Sequence, residues 1–492
     1  MNRSQLRHTT ILSARLAPLL LMGALVLIGL TACAPQRYTL NDSPTPAEIG
    51  SPSPDKDDKE MRGGPMQPMV APSARQATPV APSGEGAAGP LSLEELLSLA
   101  LDNNPTLRQA SAQVAGERAK ALQAGLYPNP RVGYQAEQIG VAGTPGEFQG
   151  GFIRQEIVTA GKLRLSREKY LARASVVELQ ALAQQYRVLN DVRIHYYRTL
   201  AAKQRLAIQE ELLKTAEDRL VTVSEMRNVG QANEADLHQA RVKLQEQRLN
   251  VEMARNELAM AWETLMTIVG VERPAQELAG MLEGEVRPLQ WDGLVARLLD
   301  ESPELAAARA KLEADRITLR REQVEPIPNL FVEGAAGYNF EARETVYGAG
   351  VSVEVPLFDW NQGTIEQAKA DLRRQQAEVR LIALRLRRTL AEQYQRYRSA
   401  RQHVIDFRDI ILPQAEQRYT TQLQSYQADR ETWPAVLEAQ ADFFKLRLAY
   451  INRLVEWREA EVAIEGLLLV NGLETPTGAT PSGHIDAVPK PR

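Results

Sequence analysis

The sequence has a single cysteine in 492 residues, Cys33, so the chain cannot form a disulfide with itself. Aromatic residues make up only 5% of the chain, and its five histidines are too scattered to match the ligand spacing of a metal site. The sequence also lacks a phosphate-binding glycine loop and a recognisable pair of nucleophile and base. These absences predict a protein that is not an enzyme and needs no cofactor.

A strong charge of either sign is missing as well. The formal net charge is −4, although charged residues make up 24% of the chain. Binding to nucleic acid requires a basic surface, so we expect no nucleic-acid partner. The abundance of Ala, Leu, Gln, Glu and Arg after residue 90 is instead typical of long helices.

The N-terminus has the pattern of a secretory signal, with basic residues before an apolar run over residues 16–30. The run ends in Leu30-Thr-Ala-Cys33, which resembles the lipobox of bacterial lipoproteins. We therefore predict a signal peptide over residues 1–32 and lipid attachment at Cys33. The resemblance implies an outer-membrane destination, because Ala34 stands where the inner-membrane retention signal has Asp. The alternative is ordinary signal cleavage beside an incidental cysteine.

Two segments are too poor in apolar residues to bury a core. Residues 33–90 are rich in Pro, Ser, Gly and Ala, and we predict that they form a lipidated disordered tether. Residues 471–492 have a similar composition, and we predict a disordered tail. The folded body then extends over residues 91–470.

The folded body contains one unit twice. Residues 91–105 resemble residues 289–303, and Pro128 and Pro326 keep the same offset further along. Because this register persists over more than fifty residues, the pattern indicates a duplication, with repeats at 91–288 and 289–470. Each repeat reads as a helix, two strands, a long helix and a shorter helix.

The predicted strands cover residues 132–137, 152–158, 330–336 and 349–355. Along them, apolar or small residues alternate with Gln, Glu and Ser, a pattern typical of strands that cross a bilayer. A half-buried hairpin of a soluble protein has the same alternation. Four strands are too few to close a barrel, so a membrane role requires several chains to share one barrel.

The helical predictions are longer. The first helix of each repeat is expected to run unbroken, to Tyr127 in the first repeat and over 293–325 in the second. Long helices are expected at 162–229 and at 364–428 with a kink at Pro413, and shorter ones at 231–269 and 432–470. The last helix is expected to stack end to end on the first. Heptad-like apolar seams indicate coiled-coil packing of a thin wall with water on both sides, and the fold class is α+β, mostly α.

This arrangement resembles the TolC family of outer-membrane efflux channels. The most specific pieces are the two strand-to-helix exits, residues 154–162 and Val353-Glu-Val-Pro-Leu-Phe-Asp-Trp-Asn-Gln-Gly363, the latter most similar to the heavy-metal efflux branch of CzcC type. The resemblance implies a homotrimer with a shared twelve-stranded barrel in outer-membrane lipid and a periplasmic helical tunnel. It also implies a periplasmic adaptor protein and an inner-membrane pump of the RND type as partners.

The resemblance further implies specific sites. The tips that dock the adaptor fall at Val229-Gly230 in the first repeat and at Ala428-Asp429 in the second. A candidate pore gate falls at Glu438, because acidic side chains near the second tip constrict the pore in parts of the family. A solvated carboxylate of a coiled coil is the equally weighted alternative for Glu438.

The two exits should form the junction between barrel and tunnel. We expect Gly161, Pro356 and Gly363 to redirect the chain there. Val351, Val353 and Val355 should face lipid, while Ser352 and Glu354 should face the water of the pore. The predicted function is a passive outer-membrane exit duct, with heavy-metal cations as the candidate cargo, and the alternative is a periplasmic coiled-coil adaptor lipoprotein.

Overall fold

The computed structural model describes residues 89–140, 147–476, 478 and 484. The predicted signal peptide, the lipid-attachment residue Cys33 and nearly all of the predicted tether lie outside the described residues. Within them, the two predicted repeats are visible as two successive sets of helix, strand pair and helical hairpin.

The first repeat forms four helices and two strands, in the order α1 (Leu93–Asn103), α2 (Pro105–Ala124), β1 (Arg131–Glu137), β2 (Phe148–Ile157), α3 (Lys162–Asn228) and α4 (Glu234–Val269). With 67 residues, α3 extends over roughly 100 Å at 1.5 Å per residue. The second repeat follows the same order, with α5 (Trp291–Glu301), α6 (Pro303–Val324), β3 (Leu330–Asn339), β4 (Glu344–Val353), α7 (Gln362–Asp406), α8 (Leu412–Gln427) and α9 (Trp433–Glu465).

The first helix of each repeat is broken, contrary to the prediction of one continuous helix. Asn104 and Ser302 each adopt an extended conformation, with ψ values of 123° and 116°, and their side chains cap the helix that follows. The cause is Pro105 and Pro303, since a proline disfavours the helical conformation of the residue before it and is well tolerated at the first helical position. Each break therefore produces a short helix, α1 or α5, ahead of a longer one.

Where a kink was predicted at Pro413, the structure has a π-helical turn just before the proline. A π-helical turn over Phe407–Ile411 separates α7 from α8, and the N–H of Leu412 donates to the carbonyl of Phe407 five residues back. Proline lacks an N–H and clashes with the carbonyl four residues before it, so the regular hydrogen-bond ladder cannot continue past this point. The second long helix is therefore interrupted, whereas α3 is continuous.

The core lies around the middle of the long helices. One cluster joins α1, α3 and α4 and includes Val188 and Leu265. The other joins α3, α5, α7 and α9 around Tyr397 and Trp457. As the seams predicted, α3 packs along α4, and α9 packs along both α3 and α7. None of the helices in the described ranges has the length and apolarity needed to cross a membrane.

The last helix ends five residues earlier than predicted, at Glu465. The chain then turns, with Leu467 and Leu468 at positive φ, and Asn190 on α3 donates hydrogen bonds to the carbonyls of Gly466 (2.9 Å) and Leu469 (2.7 Å). Thr106 at the start of α2 donates to the carbonyl of Gly472 at 3.0 Å. The chain that follows α9 thus meets the first turn of α2, in agreement with the predicted stacking.

Within the predicted tail, the described residues pack on the helices. Gln184 on α3 donates to the carbonyl of Gly472 at 2.7 Å, and the N–H of Gly472 donates to Asp191 at 2.6 Å. Further along, His484 is buried with its Nε2 atom 3.1 Å from a carboxylate oxygen of Asp315 on α6.

Candidate functional site

The four strands form one antiparallel sheet in the order β1-β2-β3-β4. Neighbouring strands pair in register over their lengths, for example Val132 with Ile153, Ile153 with Gly334, and Gly334 with Ala349. The central strands β2 and β3 join the two repeats. Strands β1 and β4 are the outer edges of the sheet, so each leaves a row of backbone donors and acceptors without a neighbouring strand in the chain.

One face of the sheet is apolar and open. Val132 is 77% exposed and Val351 is 69% exposed, and Tyr134 and Tyr347 stand on the same face. Exposed apolar rows of this kind are typical of a surface that meets another apolar phase or partner. Val351 and Val353 lie on this face and Ser352 lies on the other, as the alternation predicted.

The opposite face carries charge. Arg154 on β2 forms an ion pair with Glu333 on β3, with 2.5 Å between nitrogen and oxygen. The two residues are direct cross-strand partners in the register, which is the position where opposite charges favour pairing. This face therefore contains the polar residues expected to line water.

The same face also contains aromatic rings that the alternation did not reveal. The Phe148 ring covers Gly150 and Gly337, and the Phe152 ring covers Gly133, where an added Cβ would stand 2.5 Å from the ring. Only glycine leaves room for a ring to lie this close to the neighbouring strand. The signal in the sequence is one glycine on this face in each of β1, β2 and β3, namely Gly133, Gly150 and Gly337.

Both strand-to-helix exits place a left-handed residue directly before the long helix. Gly161 (φ 66°) precedes α3 and Asn361 (φ 62°) precedes α7, so a left-handed residue turns the chain into each long helix. The predicted start of the second long helix at Thr364 is two residues late, because Gly363 already lies in the first turn of α7. Asn is among the residues besides glycine that most readily adopt this conformation, so the glycines of the sequence do not mark this turn.

The predicted end of β4 is corrected too. The strand ends at Val353, so Glu354 and Val355 precede Pro356 in the exit loop instead of continuing the sheet. Without strand geometry, neither residue has a face assigned by alternation. Asn361 donates from its side chain to the carbonyl of Glu322 at 2.9 Å, which ties the end of this loop to α6.

The helical tips share one geometry despite their different sequences. Gly230 (φ 77°) and Asp429 (φ 54°) are both left-handed. The next N–H bonds a carbonyl five residues back in each case, Gln231 to Met226 at 2.8 Å and Arg430 to Ser425 at 2.9 Å. The second tip therefore forms the same turn as the Val229-Gly230 tip, with Asp at the left-handed position and Ala428 before it.

Glu438 lies near the second tip, in the second turn of α9. It is exposed, while its neighbours Leu437 and Ala439 are buried in the hairpin. One helical turn further, Asp442 pairs with Arg418 at 3.1 Å and with Lys445 at 3.5 Å. Glu438 thus projects from the packed seam, and within the described residues it forms no ion pair.

Chemistry at a metal centre is not indicated by the geometry. Within the parts of the chain that the structure describes, no group of three or more His, Cys, Asp or Glu side chains is arranged to hold a metal ion. What the two repeats build together is a sheet with one open apolar face and one charged face, joined by two turns to two helical hairpins.

The family model described as outer membrane efflux protein matches residues 96–271 and 294–468, one match for each repeat. The chain belongs to the outer membrane efflux protein family. This assignment favours a channel over the alternative of a periplasmic adaptor, and it places the protein in the outer membrane as an exit duct of an efflux system.

Several curated relatives cover most of this outer membrane efflux protein. The cobalt-zinc-cadmium resistance protein CzcC of Cupriavidus metallidurans is 26% identical over 388 residues, which are 78% of this chain and 91% of CzcC. The toluene efflux pump outer membrane protein TtgF of Pseudomonas putida is 24% identical over 412 residues, 76% of this chain and 82% of TtgF. CzcC is thus named for metal resistance and TtgF for an efflux pump.

Solved channels share the fold. The structure of CusC superposes with a TM-score of 0.62 at 17% identity and covers 77% of this chain and 92% of CusC. The open state of the MtrE outer membrane channel of Neisseria gonorrhoeae gives a TM-score of 0.64 at 16% identity, over 78% of this chain and 90% of MtrE. The predicted fold class, mostly helical with a small antiparallel sheet, is confirmed.

Proposed function

We propose that three copies of this chain form the channel, with their sheets joined edge to edge into one twelve-stranded barrel. The observation that carries the proposal is the pair of unpaired edges, β1 and β4, at opposite sides of a four-stranded sheet. Pairing β4 of one copy with β1 of the next satisfies both edges, and a closed ring leaves none open. The apolar face then meets lipid, and the Arg154–Glu333 face lines the pore.

The helices support the same assembly. In the first repeat α3 packs against α2 and α4 and also against α6 and α9 of the second repeat, so it is covered from both sides. Its counterpart α7 makes its main helix contacts with α5, α6 and α9, all within the second repeat. The exposed Leu381 and Leu384 on α7, and Met253 and Met260 on α4, are apolar surface that neighbouring copies would cover.

The test of the assembly is native mass spectrometry of the detergent-purified protein combined with conductance in planar bilayers. A trimeric mass together with discrete pores supports the shared barrel. A monomeric mass, or bilayers that stay closed, would refute it.

We propose divalent heavy-metal cations as the cargo, because CzcC is named for resistance to cobalt, zinc and cadmium. Organic solvents are the second candidate, since TtgF is named for toluene efflux. The cargo is distinguished by deleting the gene in its host and restoring it on a plasmid. Loss and recovery of tolerance to cobalt, zinc and cadmium supports metal export, whereas loss of toluene tolerance alone refutes it.

The remaining partners and sites follow from the same role. A periplasmic adaptor would meet the tips at Val229-Gly230 and Ala428-Asp429, and an inner-membrane pump of the RND type would supply the energy. Glu438 is the proposed gate, and Gly161, Pro356 and Gly363 belong to the barrel-to-tunnel junction, with Asn361 in the left-handed position. In the predicted homotrimer, the adaptor would meet three equivalent pairs of hairpin tips.

The N-terminal segments complete the proposal. Residues 1–32 would be removed, Cys33 would carry lipid, and residues 33–90 would tether the first repeat at 91–288 to the membrane. The second repeat covers 289–470, and a short tail over 471–492 follows. Incorporation of labelled palmitate into the wild type and its absence in Cys33→Ser tests the anchor.

A further inference from the structure

The exit loop of the first repeat is docked on the second repeat. Thr159 donates from Oγ1 to the carbonyl of Pro328 at 2.6 Å, and Lys162 donates to Oδ1 of Asn329 at 3.1 Å. Asn329 in turn donates from Nδ2 to Glu156 at 2.6 Å. This exit is therefore held by the short segment that connects α6 to β3.

Within the described residues, the exit loop of the second repeat, residues 354–361, makes no hydrogen bond to a segment that precedes a strand, and its tie to another element is from Asn361 to Glu322 on α6. In the first repeat, the segment that corresponds to the one around Pro328 lies around Pro130, between α2 and β1. That segment precedes β1, at the far edge of the sheet from β4, so it cannot reach this loop within one chain. In a ring of copies, β1 of the next copy lies beside β4 and brings the missing segment with it.

The surfaces on the two sides fit such a contact. Leu357, Phe358 and Trp360 in the exit loop are 74%, 89% and 61% exposed. At the opposite edge of the sheet, just before β1, Tyr127 is exposed beside Pro128. Side chains of this size left in water are typical of protein or membrane interfaces.

The charges are complementary as well. The exit loop carries the exposed carboxylates of Glu354 and Asp359, and the connecting segment ends in exposed Arg131. Within the described residues neither Glu354 nor Arg131 forms an ion pair. Carboxylates in the loop favour a partner with a cation over an anionic lipid surface.

We propose that the exit loop over residues 354–361 docks on residues 127–131 of a second copy, with Arg131 facing Glu354 and Asp359. The inference rests on the proposed ring of copies and goes beyond it, since it names the contact that locks each barrel edge to the tunnel. The loop is two residues longer than its first-repeat counterpart when the left-handed Gly161 and Asn361 are matched. The extra length carries the exposed aromatic rings to the neighbour.

The test is cross-linking in the full chain in its membrane. The double variant Tyr127→Cys/Phe358→Cys, treated with a short bismaleimide, should give covalent trimers, and each single variant should not. The matched control is Tyr134→Cys/Val353→Cys, on the outer edges β1 and β4, which reports the ring itself. If the control pair links and the junction pair does not, the docking is wrong and the trimer stands. If neither pair forms cross-links and the mass is monomeric, the proposed trimer itself is refuted.

Charge exchange gives a second measurement. Arg131→Glu should lower the yield of trimer by about tenfold, because like charges then face each other across the contact. Adding Glu354→Arg should restore most of that yield. If the double variant gives as little trimer as Arg131→Glu alone, the proposed charge pairing is wrong. Strong quenching of Trp360 fluorescence by brominated lipid would show that lipid covers the loop, and it would overturn the docking.

Discussion

The ring of Phe148 lies against Gly337 on the neighbouring strand, so close that a Cβ at position 337 would overlap it. Strand β2 of the first repeat and strand β3 of the second are thus joined by packing as well as by hydrogen bonds. The contact fixes the distance between the two halves of the duplicated chain near the far end of the sheet from the helices.

Gly337→Val should destabilise the sheet by about 1–3 kcal/mol, because the added side chain meets both the Phe148 ring and the carbonyl of Gln149. The measurement is the thermal midpoint of the purified channel and its amount in the outer membrane. Gly348→Val is the control on the same face, since a Cβ there meets only Ala335 at 3.7 Å. Equal losses in both variants would contradict the role of the ring.

Asn361→Val should impair folding of the second junction, because a β-branched residue is strained at φ 62° and the hydrogen bonds to Glu322 are lost. Gly363→Ala should be neutral or stabilising by up to about 1 kcal/mol, since it lies in a helical turn and nothing is within 4 Å of its Cβ position. The effect of each variant is measured as the yield of folded protein. A larger loss of yield for Gly363→Ala than for Asn361→Val would show that Gly363 is the turning residue.

Asn190→Leu should cost about 2–4 kcal/mol, because it leaves the buried carbonyls of Gly466 and Leu469 without their donor at the end of α9. Asn250→Leu on the exposed face of α4 provides the matched control. Chemical unfolding monitored by helical circular dichroism measures the difference. A destabilisation of the same size at Asn250 would show that the effect is not due to these carbonyls.

The raised pKa of Tyr450 predicts that the protein loses stability in strong alkali. Burial and the nearby carboxylate of Glu283 raise its pKa from 10.0 to about 12. Since the folded protein holds this proton more tightly than the unfolded chain, the contribution is complete below pH 10 and disappears as the pH rises through about 12. Tyr450→Phe should lower stability by about 1 kcal/mol at neutral pH and flatten the decline over this window. An unchanged decline would contradict the assignment.

Glu438→Gln should raise the conductance of the reconstituted channel if three Glu438 carboxylates constrict the pore. Glu263→Gln on α4, also exposed, is the control and should leave conductance unchanged. Conductance that is the same for Glu438→Gln and the wild type would assign Glu438 to an ordinary solvated position.

Much of this architecture could be predicted from the sequence because the duplication provided two independent readings. The alternation in the strands, the seams of the hairpins and the kink at Pro413 each follow from local chemistry. The breaks at Asn104 and Ser302 were missed because apolar periodicity continues through them, although the following proline carries the signal. The left-handed Asn361 was missed because glycine is the default residue for that conformation.

The contacts of the tail could not be predicted in the same way. Gly472 and His484 lie in a segment with the composition of a linker, and their partners Asp191 and Asp315 are distant in sequence. The aromatic rings over glycines also depend on strand register, which is set only when the sheet forms.

The π-helical turn at Phe407–Ile411 interrupts the second long helix, whereas α3 is continuous. The uninterrupted α3 buries Leu212, Thr215 and Val223 in its tip half, whereas α8 buries no residue along its length. The tip half of the first hairpin is therefore more extensively packed within one chain than that of the second. In the proposed ring of three copies the two kinds of hairpin alternate, so we expect any widening at the tips to have threefold rather than sixfold symmetry.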